Sequence, residues 1–151
     1  MKNLLLVFPF LFFSSMSFGE SNMNQKSLEK IIKSIALSSI GENGVVEFSY
    51  SNVKMYLISD IKHDRMRIIS PVAEYKELNR ENLDAALESN FHKSLDARYA
   101  VSDGVLYAAY IHPLSELSEQ QIKSAVQQVA NLASSFGKEY TSGFLTYGGK
   151  K

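Results

Sequence analysis

The sequence predicts an α+β domain with the element order α-β-β-β-α-β-β-α, in which three helices pack against a five-stranded antiparallel sheet. Apolar residues recur at helical spacing in three segments and alternate with polar residues in five others. Connections between consecutive strands are too short for parallel crossovers, and strands kept apart from helices are typical of the α+β class. The chain has 151 residues, of which 45% are hydrophobic, which is enough for one core. We expect this domain to span 27–137, followed by a C-terminal tail, 138–151, that either folds back or stays mobile.

The first 19 residues are typical of a secretory signal peptide. Lys2 gives a positive start, residues 4–13 form an apolar run, and Ser-Phe-Gly at 17–19 has the small-x-small pattern of a cleavage site. The run is shorter than the about 20 apolar residues of a spanning helix. We expect cleavage before Glu20 and a periplasmic or secreted protein without membrane contact afterwards. An uncleaved N-terminal anchor is the alternative.

The first helix is expected after a flexible polar leader, 20–26. Apolar residues between Leu28 and Ala36 recur at i, i+3 and i+4, and lysines occupy the other side. This pattern predicts an amphipathic helix. Gly41 and Gly44 are expected to end it, because glycine commonly follows a last helical turn.

Three strands are predicted next, at about 45–50, 53–58 and 65–69, from the alternation of apolar and polar residues. The dipeptide Ser51-Asn52 separates the first two, and a polar stretch separates the second from the third. Pro71 is expected to end the third strand, since proline cannot donate to a sheet ladder.

Two further helices have recognisable ends. Asn79 is a suitable N-cap for a helix that runs to about Asn90. Ser118 with Gln121 forms a capping box for the last helix, and Gly137 closes it. The helix that follows Asn79 has a predicted apolar stripe of Leu83, Ala86, Leu87 and Phe91.

The strongest local signal is Asp103-Gly104 between two apolar runs, which is a preferred pair for a two-residue β-hairpin turn. This turn fixes the register of the last two strands, because each residue before it then faces a defined residue after it. The pairs expected on the core face are Val101 with Leu106, Tyr99 with Ala108, and Ala97 with Tyr110.

The opposite face of the sheet combines aromatic, aliphatic and arginine side chains, a mixture that protein interfaces favour. Its members are predicted from strand alternation alone. They are Tyr56, Ile58, Arg65, Arg67, Ile69, Arg98, Tyr107 and Ala109. We consider two interpretations: the face binds a protein partner or a second copy, or the third helix covers it and the arginines reach past its rim.

Several kinds of chemistry find no motif in the sequence. There is no cysteine, and 16 basic residues balance 16 acidic ones, so thiol chemistry is excluded and nucleic acid is not an expected partner. No phosphate-binding loop, HExxH or GxSxG motif occurs. His63 beside Asp60 and Asp64 is expected to lie in a solvated turn rather than to bind a cation. We therefore expect no enzyme activity, no metal and no cofactor.

The element order, together with segments such as 55–58, 65–72 and 95–100, resembles the type III secretion chaperone-like fold of the Tir-chaperone type, which includes the YbjN-like family. The resemblance covers about 27–137. It implies a small protein-binding module, often a homodimer, without catalysis. The alternative function that we keep open is a small-ligand binder or sensor of the cell envelope, with a tyrosine-lined pocket between the sheet and the helices.

Overall fold

Six antiparallel strands and three α-helices make up the computed structural model, which describes residues 22–144. The strands are ordered β1-β2-β3-β4-β6-β5 across the sheet. The elements are α1 (Gln25–Ile35), β1 (Ser38–Glu42), β2 (Val45–Tyr50), β3 (Val53–Asp60), β4 (Arg65–Glu74), α2 (Arg80–His92), β5 (Arg98–Ser102), β6 (Val105–Pro113) and α3 (Glu119–Ser134). The predicted α+β class, antiparallel sheet and three helices are confirmed, whereas the predicted signal peptide lies outside the described residues.

The core lies between one face of the sheet and helices α1 and α3. Alternate residues of the central strands point into it, so that Leu57 pairs with Ile68 and Ile68 pairs with Tyr110 across the sheet. These side chains are buried together with Ile32 of α1 and Val126 of α3. Burial of such aliphatic side chains is worth about 1.5–3 kcal/mol each, which makes this layer the main source of stability.

The prediction of five strands is wrong, because the structure contains a sixth strand, β1. All five of its residues are exposed. Its sequence, Ser-Ser-Ile-Gly-Glu, has no alternation of apolar and polar residues, so no strand is predicted there. Among the described strands it pairs with β2 alone and forms an edge of the sheet. Gly41 lies within this strand and Gly44 in the turn that follows, and neither ends α1, whose last residue is Ile35.

Strand β4 extends to Glu74, so Pro71 does not end it as predicted. The pairing of β4 with β6 shifts register between Pro71 and Ala73. A β-bulge of this kind tolerates proline because the ladder is interrupted there. The longer strand brings Tyr107 opposite Pro71 at the centre of the sheet.

The predicted hairpin is confirmed residue by residue. Ser102 pairs with Val105 and Tyr99 with Ala108, as a two-residue turn at Asp103-Gly104 requires. Both turn residues have positive φ, 49° and 76°, as the favoured hairpin turn demands. The core prediction holds for five of the six inner residues, but Val101 is exposed.

Helix α2 begins after the N-cap Asn79, as predicted, but its predicted apolar stripe is only partly buried. Ala86 is buried, whereas Leu87 and Phe91 are 65% and 75% exposed. The helix packs beside the edge strand β5, so the sheet covers only a narrow part of its surface. Leu87 and Phe91 therefore face outward rather than into the core.

Both ends of the domain reach beyond the predicted bounds. Helix α1 begins at Gln25, inside the predicted leader, because the side chain of Asn24 caps it by accepting from the Ser27 amide at 3.0 Å. At the other end, Tyr140 of the predicted tail is buried and contacts the rings of Tyr99 and Phe136. The described part of the tail, 138–144, thus folds back onto the domain.

Candidate protein-binding face

The sheet has a second face, opposite α1 and α3, and we call it the open face. No helix in 22–144 packs on it, because the helix contacts to the sheet run through the core residues of the first face. The interpretation in which the third helix covers this face is therefore wrong. The open face instead presents side chains of all six strands to solvent.

Strand pairing brings the predicted face residues together in rows. One row crosses the sheet from Tyr56 through Ile69 and Ala109 to Arg98. A neighbouring row pairs Ile58 with Arg67. Because side chains alternate between faces along each strand, all eight predicted residues lie on the open face, with Arg65 at its end and Tyr107 beside Ala100. Their role in binding stays a prediction.

The structure adds three apolar residues that the sequence did not assign to this face. Ile40 is 72% exposed, Ile111 is 59% exposed and Val45 is also exposed, and they extend the rows toward both edges. The alternation that placed Tyr107 and Ala109 there also points to Ile111. Ile40 carried no such signal, because β1 was not recognised. Together with Ile58, these residues form an apolar band on an exposed surface, which marks interaction sites in many proteins.

The charges around this band leave an arginine free for a partner. Lys54 Nζ lies 3.0 Å from Glu47 Oε1 and 5.4 Å from the centre of the Tyr56 ring. Hydrogen bonding with Tyr56, and then with Glu47, raises the pKa of Lys54. Arg67, between Ile58 and Ile111, makes no ion pair within 22–144. A carboxylate from a binding partner can therefore reach Arg67 without displacing an internal contact.

A second apolar surface lies at the far edge of the sheet, between α2 and β5. A cavity of about 330 Å³ opens there, lined by Leu87, Val101, Leu106 and Tyr75 among others. Phe91 is exposed one turn further along α2. This groove does not include any of the eight predicted residues, so the two surfaces can be tested separately.

The acidic and histidine side chains of the described chain do not converge. His63 Nδ1 lies 2.6 Å from Asp60 Oδ2, whereas the carboxylate of Asp64 accepts from the amide and hydroxyl of Ser115 at 2.8 Å. Across 22–144 no group of three or more histidine or acidic residues is placed to hold a metal ion. Within the same range, no helix is long and apolar enough to cross a membrane.

Comparison with known proteins identifies the class of fold. No protein-family model and no curated protein matches the sequence. The HopA1–SchA chaperone–effector complex contains a similar chain, with a TM-score of 0.56 and 16% identity over 72% of this chain and 88% of that chain. The ExsC–ExsE complex contains another, with a TM-score of 0.54 and 12% identity over 72% of this chain and 90% of that chain. The fold is thus similar to that of type III secretion chaperones, and the YbjN-like assignment stays a prediction.

Proposed function

We propose that this chain is an exported, non-enzymatic protein-binding module of chaperone-like type, that it forms a homodimer, and that the open face is its contact surface. The observation that carries the proposal is the apolar band of Ile40, Val45, Ile58 and Ile111 on a sheet face without a covering helix. Solvent-exposed aliphatic side chains on one face cost free energy that a protein partner removes by burying them, and Arg67 lies among them, between Ile58 and Ile111.

The chaperone-like part of the proposal is supported by the two structural neighbours. One of them comes from a complex described as chaperone and effector, and both were determined as protein complexes. At 12–16% identity the fold is the shared property, so we transfer no contact residue from either. The choice of the open face comes from the geometry of this chain.

Multi-angle light scattering tests the homodimer directly. We expect the chain from Glu20 to Lys151 to show twice its monomer mass across protein concentrations from low to high micromolar. The apolar band would then be buried between two copies, as in other stable dimers. A strictly monomeric protein at every concentration would contradict the homodimer and would leave the open face to a different partner protein.

Export is proposed from the sequence pattern of residues 1–19. We expect full-length protein expressed in a bacterium to appear in the periplasm or medium, with an intact mass that corresponds to cleavage before Glu20. A matched variant with Leu6 and Phe8 changed to lysine interrupts the apolar run and should remain uncleaved in the cytoplasm. Cytoplasmic, uncleaved protein from the unaltered gene would refute the proposal.

A further inference from the structure

A polar cavity of about 410 Å³ lies away from the centre of the open face, where β6 passes the first turns of α3. Strand β5 begins at Arg98, opposite Ala109, so β6 has β4 on one side beyond that point and no strand on the other. The gap in the sheet creates the cavity. Its lining residues are Asp96, Arg98, Tyr110, Ile111, His112, Gln121, Ser124 and Gln128. The volume is in the range of about 300–1,000 Å³ that small-molecule sites occupy.

One wall of the cavity is held rigidly by Gln128. This buried side chain accepts from the amides of Asp96 and Ala97 at 2.9 and 3.1 Å, and it donates to Asp96 Oδ2 at 3.2 Å and Ser124 Oγ at 3.1 Å. All of its hydrogen-bonding groups are therefore used internally. The result is an Asp96 carboxylate with one oxygen fixed by the protein and the other, Oδ1, left for a ligand.

Tyr110 supplies a hydroxyl that the protein does not use. Its residue is only 5% exposed, yet the hydroxyl has no hydrogen-bond partner in 22–144 while the residue lines the cavity. Burial, and then the nearby Asp96, raise the pKa of Tyr110, so the group is a neutral hydroxyl at pH 7. A polar group in this position is satisfied by solvent or by a bound molecule.

His112 adds a third acceptor. Its Nδ1 lies 2.9 Å from the carbonyl oxygen of Pro113, which can only accept, so Nδ1 is the donor in this contact and Nε2 is the ring nitrogen left to accept. The positively charged residue of the lining is Arg98. Its Nη1 donates to the carbonyl oxygens of Leu95 and Ala97, which leaves Nε and Nη2 free. The cavity lining thus includes acceptors of Asp96, Tyr110 and His112 and one guanidinium, that of Arg98.

We propose that this cavity binds a small zwitterion of the amino acid or dipeptide class. The ammonium group is recognised by Asp96, Tyr110 and His112, since three acceptors match its three N–H donors. The carboxylate is recognised by Arg98, which pairs with planar anions. Arg98 and Ile111 line the cavity and also belong to the open face, whereas Asp96 and Tyr110 belong to the cavity alone. Variants of Asp96 and Tyr110 therefore test the ligand site separately from the proposed dimer contact.

Isothermal titration calorimetry on the purified protein tests the site, with pools of the twenty L-amino acids and with dialanine as probes. We expect at least one free probe to bind, and its N-acetylated and its amidated forms to bind at least about tenfold more weakly, because each has lost one charged group. Absence of binding by every free probe at millimolar concentration would overturn the proposal.

Two conservative variants locate the binding. Tyr110→Phe removes a hydroxyl without an internal partner, and Asp96→Asn removes the charge while it keeps an acceptor for Gln128. We expect both variants to bind the probe at least about tenfold more weakly. The melting temperature of Tyr110→Phe should be unchanged. Tyr107→Phe, which removes the same group on the open face, is the matched control and should bind as before. Binding that survives both cavity variants would assign the probe to another place and refute this site.

Discussion

Replacing Ile58 and Tyr107 with glutamate should leave the protein folded but unable to associate. Both side chains lie on the open face, and Ile58 is 37% exposed, so glutamate at these positions reaches water in the monomer. In an interface both carboxylates would lose their hydration, which costs several kcal/mol that the neighbouring Arg67 offsets only in part, at position 58. We expect the association constant to fall by on the order of 100-fold or more. Light scattering measures the mass, and far-UV circular dichroism checks the fold.

The groove beside α2 provides a matched control for this prediction. Leu87→Glu with Phe91→Glu introduces the same two charges at apolar positions that are even more exposed, but on a different surface. We expect this variant to associate like the unaltered protein. If the α2 variant dissociates and the open-face variant does not, the groove is the contact surface. If the open-face variant unfolds, that face contributes to the core and the proposed site is wrong.

Gly44→Ala, in the turn between β1 and β2, should be among the most destabilising single changes in the loops of this protein. Gly44 has φ of +95°, and a Cβ there would lie 2.8 Å from the backbone oxygen of Ser59 and 2.7 Å from Gln25 Nε2. The Gly44 amide also donates to the buried carboxylate of Glu29 at 2.7 Å, and its carbonyl accepts from the Ser59 amide at 2.8 Å. Strain and displacement of this network together cost about 3 kcal/mol.

Gly104→Ala separates the cost of backbone strain at positive φ from the cost of crowding by the new Cβ. Gly104 also has positive φ, +76°, but no atom lies within 4 Å of a Cβ built there. We expect backbone strain alone to lower the free energy of unfolding of this control, by about 1 kcal/mol. Urea unfolding followed by circular dichroism gives both free energies of unfolding. Equal losses for the two variants would show that a Cβ at position 44 is accommodated without displacing Gln25 or Ser59, and would contradict the prediction.

Local signals in the sequence were sufficient wherever a few neighbouring residues decide the structure. Asp103-Gly104 fixed a two-residue turn, and strict alternation then paired Tyr99 with Ala108. Ser118 with Gln121 defined the start of α3 through a capping box. The same alternation placed all eight predicted residues on one face of the sheet.

Errors arose where burial depends on distant parts of the chain. Strand β1 is held by its hydrogen bonds to β2 rather than by apolar residues of its own, so no periodicity revealed it. Leu87 and Phe91 fit a helical apolar stripe, yet they are exposed because only a narrow edge of the sheet lies beneath α2. A stripe shows which side of a helix is apolar, and tertiary packing decides how much of it is covered.

The sequence by itself determined the class of fold, the antiparallel pairing and the hairpin register, because these follow from short-range chemistry and from the period of two along a strand. It did not determine whether a helix covers the opposite face of the sheet as well. Both faces of β6 are largely apolar, with Leu106, Ala108 and Tyr110 on one side and Tyr107, Ala109 and Ile111 on the other. Only the tertiary structure decided that the second set is left uncovered, since the helices pack on the first set alone.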